Sequence, residues 1–345
     1  MKTRLLIVIA VFSLTTAGCA TTWMTDEEPL AGQPQWPQGP EKGKVAYVTT
    51  VKGFKETGTS FSTVMRKIIF GRSPENRIVK PVAVVAGPDG SIAIADAEQR
   101  CVHLYLPKEQ LYKRIFGSKS EALQSPVGLA FDEELNLYVS DSTLNKIFVF
   151  DRHGEAISSI STAGTLSLKR PTGLVYNPMS KLLYAVDTLA NTVYAFKKDG
   201  TVAFSFGQRG IENGQFNYPT YIYLSSTGLI YITDSLNFRV QVFDAAGNHV
   251  STFGHHGDGS GDFAMPKGVA ADKDGIVYVA DSLFDSLQLF TLEGSFLLAI
   301  GGQGSEKGQF WMPSGIFIDG NGRLYVCDTF NQRIQVFQIA ENYHE

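Results

Sequence analysis

Six copies of one segment recur along the chain at a nearly fixed spacing. Each begins at a proline (Pro81, Pro126, Pro171, Pro219, Pro266, Pro313) and reaches an aspartate (Asp96, Asp141, Asp187, Asp234, Asp281, Asp328). Proline and aspartate lie 15 residues apart in five copies and 16 in the third, and the period runs from 45 to 48 residues. The clearest copies read Pro266-Lys267-Gly268 leading to Tyr278-Val279-Ala280-Asp281-Ser282, and Pro313-Ser314-Gly315 leading to Tyr325-Val326-Cys327-Asp328-Thr329. A period of that length confines the chain to stacked or radial arrays of one supersecondary unit.

Within a copy, apolar residues alternate with period two, which is the pattern of strands. In the fourth copy, residues 221–224, 229–233, 239–243 and 249–253 read as four strands, with a turn at Gly228 and another at Gly247. Helical spacing is nearly absent between residues 78 and 340. Four short antiparallel strands repeated radially make a β-propeller blade, so the expected fold is all-β, a six-bladed β-propeller of four-stranded antiparallel blades. The sixth copy runs out after its third strand at Phe337, with eight residues left. Residues 45–51 precede the first copy and read as a lone strand. They are expected to supply the outer strand of the sixth blade, which joins the chain ends and removes an open sheet edge.

The pattern Pro266-Lys267-Gly268-Val269-Ala270, then Tyr278-Val279-Ala280-Asp281-Ser282, then Arg333-Ile334-Gln335-Val336-Phe337 and the Phe253-Gly254 step, resembles the NHL-repeat family over residues 78–340. That resemblance implies the fold and says little about activity, because one fold hosts many functions. The family includes a metal-dependent amidated-peptide lyase, and other six-bladed propellers include lactonases. Their metal sites do not map onto matching residues of this chain.

The first 18 residues read as a signal peptide: Lys2 and Arg4 form a basic start, and Leu5 to Leu14 is an apolar run too short to span a bilayer. Thr16-Ala17-Gly18-Cys19 resembles a bacterial lipoprotein box, with Thr where the family usually has Leu. It implies cleavage before Cys19 and lipidation of that residue. Ala20 rather than Asp follows, and by family analogy this implies the outer membrane, periplasmic or surface-facing. Residues 19–43, with Pro29, Pro34, Pro37 and Pro40, read as a Pro/Gly-rich linker. Residues 44–340 form the propeller, with a short amphipathic helix expected at about 60–70. The net charge is −4 without a basic stripe, which argues against nucleic acid as a partner.

Catalytic signals are sparse. The residues between the repeat proline and glycine positions, Val82, Val127, Thr172, Thr220, Lys267 and Ser314, include no carboxylate or imidazole. A hard cation needs several oxygen ligands and zinc needs imidazole or thiolate, so no metal, cofactor or catalytic residue is assigned. The repeat aspartates, with Arg239, Arg333 and the asparagines at 145, 191, 237 and 331, read as residues that order the loop after each second strand. His255-His256 lie in an inter-blade loop and read as solvated surface, with metal binding or pH sensing as the sharper alternative. Cys101 and Cys327 read as small core residues, and a bridge between them is left open.

What distinguishes the copies is apolar. Leu236, Phe238, Leu283, Phe284 and Phe330 follow the aspartates, Tyr218 and Trp311 stand beside the prolines, and Tyr221 replaces a glycine. These eight residues are the expected binding surface, gathered on one rim of copies four to six. The expected function is a membrane-anchored, non-catalytic binding or scaffold propeller of the cell envelope. Its partner is a protein, a peptide or an exported glycan, and it meets the membrane through the lipid alone. The alternative is a metal-dependent hydrolase or lyase, lactonase-like or amidated-peptide-lyase-like, working in the central channel.

Overall fold

The computed structural model describes residues 21–25, 33–38, 44–56 and 76–340. Cys19, the signal segment and the helix expected at 60–70 lie outside them. No helix among the described residues is long and apolar enough to cross a membrane.

The chain is an all-β propeller. Copies one to five each fold into a four-stranded antiparallel sheet. In copy four the strands are Pro219–Leu224, Ile230–Asp234, Arg239–Phe243 and His249–Phe253, within two residues of the boundaries read from alternation. Copy six differs from the expected four-stranded sheet, because its strands belong to a sheet of seven. Pro313–Ile318, Arg323–Asp328 and Arg333–Ile339 are followed by Val45–Glu56, which pairs antiparallel from Ile334↔Val51 to Ile339↔Val45. At 12 residues that strand outruns its neighbour: its free edge takes up Thr21–Thr25 and Gln35–Trp36, and its overhang beyond Val51 pairs with Asn76–Arg77 on the edge shared with Arg333–Ile339. The segment read as a linker is therefore tied down at two places. Trp36 packs edge-on to Phe337 at 5.9 Å, and Trp23 lies 5.4 Å from both Phe54 and Tyr105.

The repeated glycine has a steric cause. A Cβ on Gly128 would stand 1.9 Å from the Thr172 carbonyl oxygen, and one on Gly315 would stand 2.5 Å from that of Val82. Successive inner strands approach too closely there for any side chain. The Gly315 contact joins copy six to copy one. It is reinforced by the Thr329 hydroxyl, which donates to the Pro81 carbonyl at 2.9 Å. Equivalent hydroxyls of Thr188 and Ser235 donate to the carbonyls of Pro219 and Pro266, at 2.7 and 3.1 Å.

The repeat aspartates are fully buried and clamp two loops each. Asp141 accepts from the amides of Gln124 and Ser125 before the inner strand, and of Thr143 and Leu144 after the second strand. In copy six Asp328 also takes Arg333 Nε at 2.6 Å, Asn331 Nδ2 at 2.9 Å and Gln335 Nε2 at 3.0 Å. Copy one departs from this plan. Cys101 stands where copies four and six have arginine, and His103 stands where copies four to six have glutamine. His103 Nδ1 lies 2.8 Å from the Tyr112 hydroxyl, beneath the stacked ring of Phe54. Burial pushes the Asp96 carboxyl up, but its hydrogen bonds to His103 and to the amides of Gln99 and Val79 outweigh this and hold it below the usual range. Cys101 and Cys327 are buried and free.

Candidate functional site: rim and central channel

The loop after each aspartate hangs from a carbonyl one or two residues before the proline. Phe330 donates its amide to the Trp311 carbonyl at 3.1 Å, Leu236 to that of Asn217 at 3.1 Å, and Ser282 to that of Met265 at 3.0 Å. These bonds set both groups of residues on one rim. Four structurally equivalent residues, two places beyond the aspartate, point into solvent there: Leu189, Leu236, Leu283 and Phe330 are 50, 53, 58 and 45% exposed. Trp311 is 48% exposed and lies 5.6 Å from the Phe330 ring, over which the Lys80 ammonium sits at 5.6 Å.

The other residues of the expected surface sit differently. Phe238 is half-buried, caps the 3₁₀ turn Ser235–Asn237 in the left-handed conformation (φ 53°), and places its ring 4.4 Å from His256. Phe284, in the corresponding loop of copy five, is also half-buried. Tyr218 is half-buried under the Arg170 guanidinium, 5.6 Å from its ring. His255 is paired with Asp262 at 2.7 Å on the exposed inter-blade loop. Leu189, which the sequence places in the same series as Leu236 and Leu283, extends the apolar arc into copy three.

Tyr221 does not join that surface. Its hydroxyl donates to the Val82 carbonyl at 2.8 Å, from copy four to copy one, so the ring stands across the channel. Burial pushes its phenol pKa up. Beyond it lies a cavity of about 240 Å³ lined by inner-strand residues such as Val85, Leu129, Leu174, Tyr223 and Ile316. A bound metal would require carboxylate, imidazole or thiolate donors. None of these lines the cavity, and among the described residues no three such side chains converge anywhere. The donor set does not fit a catalytic metal in the channel.

Residues 216–243 and 310–337 match the family described as NHL repeat. The chain carries NHL repeats. Both matched segments open on a fully buried phenylalanine, Phe216 or Phe310, against which Gly207 or Gly301 stacks, and close on Phe243 or Phe337. Similar solved structures include a streptogramin B lyase (10% identity, TM-score 0.59, 85% of this chain and 86% of that one). A virginiamycin B lyase from Staphylococcus aureus, solved with quinupristin, is 14% identical with TM-score 0.56, over 77% of this chain and 97% of the other. A gluconolactonase from Xanthomonas campestris is 15% identical with TM-score 0.58, over 76% and 86%. At these identities the likeness is one of fold. No curated protein sequence matches the chain.

Proposed function

We propose that this NHL-repeat propeller is a non-catalytic binding module of the bacterial cell envelope. A lipid on Cys19 holds it at the outer membrane, and its rim captures a protein, peptide or glycan partner. In this reading the seven-stranded sheet is the sixth blade and residues 45–56 close the ring, which the contacts of Gly315 and Thr329 with copy one support. The observation that carries the binding reading is the apolar arc itself. One solvent-facing position holds leucine in three consecutive copies and phenylalanine in the next, with Trp311 alongside. Contiguous exposed apolar side chains of this kind mark interaction surfaces, and aromatic residues dominate their energetics.

Replacing Leu236, Leu283, Trp311 and Phe330 together by serine is expected to abolish capture of the partner from native envelopes while leaving the melting temperature unchanged. Capture that survives this variant contradicts the rim. Palmitate is expected to label the wild type and not Cys19→Ser, and an unlabelled wild type removes the anchor. The enzyme alternative draws on the fold shared with proteins described as lyases and a gluconolactonase. Stoichiometric calcium or zinc in the purified protein, together with turnover of a lactone and ester panel, would replace the binding reading.

A further inference from the structure

The rim also carries charge that the apolar arc leaves unexplained. Lys267 is the one charged residue among the six that follow the repeat prolines. It lies half-buried in the inner strand Pro266–Ala271. Arg170, which precedes Pro171 in copy three, leans over Tyr218 at the start of copy four, and the Thr220–Ser235 and Ser235–Pro266 contacts bring the start of copy five to that same place. Its backbone is pinned by Asp187, whose Oδ1 accepts the Arg170 amide at 2.8 Å.

No acid among the described residues balances these cations. The nearby repeat carboxylates are spent on other donors. Asp187 takes the Lys169 and Arg170 amides, Asp234 takes Asn237 and Arg239, and Asp281 takes the amides of Ala264, Met265, Leu283 and Phe284. Burial, and then the like charge of Arg170, push the Lys267 ammonium below its usual pKa. A partly desolvated ammonium beside a guanidinium is a charge arrangement that a bound oxyanion relieves.

The surroundings select the oxyanion's carrier. The hydroxyls at the mouth are engaged within the protein and offer a ligand few polar partners besides the two cations. Thr172 meets Thr188 at 2.8 Å, Thr220 meets Ser235 at 2.6 Å, and Ser314 meets Thr329 at 2.7 Å. The exposed side chains of the same rim in copies three to five are leucines, at positions 189, 236 and 283. We propose that Arg170 and Lys267 form an oxyanion site at the channel mouth that takes the carboxylate of an acidic peptide segment, whose apolar neighbours lie on Leu236 and Leu283. This inference rests on the binding reading above and names its partner class.

The test uses the full chain and three probes: an acetylated, dye-labelled octapeptide alternating leucine and glutamate, its leucine–glutamine counterpart, and inorganic phosphate. Fluorescence anisotropy at low salt is expected to favour the glutamate peptide by about tenfold or more, the scale of a charge-assisted contact. Lys267→Met and Arg170→Gln should each erase that preference at unchanged melting temperature, and Lys267→Arg should keep it. Equal affinity for the two peptides overturns the oxyanion site and leaves the apolar rim intact. Leu236→Ser with Leu283→Ser should weaken both peptides by the same factor, and affinities unchanged by this variant overturn the seating of the peptide on the two leucines. Phosphate binding without either peptide overturns the peptide assignment.

Discussion

At Asp328 one buried carboxylate meets an arginine, an asparagine, a glutamine and a backbone amide, and Arg333 in turn donates to the carbonyls of Ser305, Glu306 and Gln309. Arg333 is only 6% exposed, so neutralising its partner strands a buried cation. Asp328→Asn is therefore expected to cost about 3–5 kcal/mol in urea denaturation. Asp281 has no arginine opposite it, because Ser286 holds that place and pairs in register with it. Asp281→Asn strands no charge and should cost clearly less, and equal costs would refute the role given to the ion pair. Much at this scale was legible from the sequence. The repetition of the aspartate in every copy marked it as structural, and its partners bear this out. Tyr221 was not legible as a channel residue. Its replacement of a glycine suggested a rim side chain, but it shares the strand's period-two face with Tyr223, and both reach across the ring. His103 was equally hidden, since its meaning comes from alignment with Gln241, Gln288 and Gln335 and from the Tyr112 hydroxyl on a neighbouring strand.

The strand Val45–Glu56 is the element on which the two ends of the chain depend. Counting residues was enough to anticipate its pairing, because copy six lacks a fourth strand and only one strand-like segment lies elsewhere. The shorter strands added to its outer edge were invisible to pattern. Five residues at Thr21–Thr25 and two at Gln35–Trp36 offer too little alternation, and the prolines around them suggest a linker. Position is fixed by packing instead, through Trp23 on Phe54 and Trp36 on Phe337. Just before the strand, Lys44 is buried against Asp272 at 3.7 Å and Asp274 at 3.8 Å, which fastens it to the first hairpin of copy five. Lys44→Met leaves the Asp272 charge uncompensated and is expected to cost about 3 kcal/mol in the same denaturation assay. Deletion of residues 44–52 removes both the latch and the ladder with Arg333–Ile339, and should lower the melting temperature further still. A melt unchanged by the deletion would contradict ring closure by this strand.

Across the whole molecule the two ends of the channel differ in character. One mouth is crossed by Tyr221 and framed by Lys267, Arg170 and the apolar arc, while the opposite end carries the hairpin turns between first and second strands. Alternation and period established the propeller from sequence, and alignment of copies located the rim. Exposure was not legible in the same way. Phe238 and Phe284 look equivalent to Phe330 as apolar loop residues, yet they are half-buried while Leu236, Leu283 and Phe330 stand out, because the exposed position is two places beyond the aspartate, whereas Phe284 is three places beyond and Phe238 four. The binding reading therefore makes a spatial demand. A photo-crosslinking amino acid placed singly at Leu236, Leu283 or Met179 compares the rim with the hairpin turn Asn177–Lys181, where Met179 is 88% exposed. Irradiation in native envelopes is expected to give one common adduct from Leu236 and Leu283 and none from Met179. An adduct from Met179 alone, or none from either rim position, would contradict the rim as the site of capture.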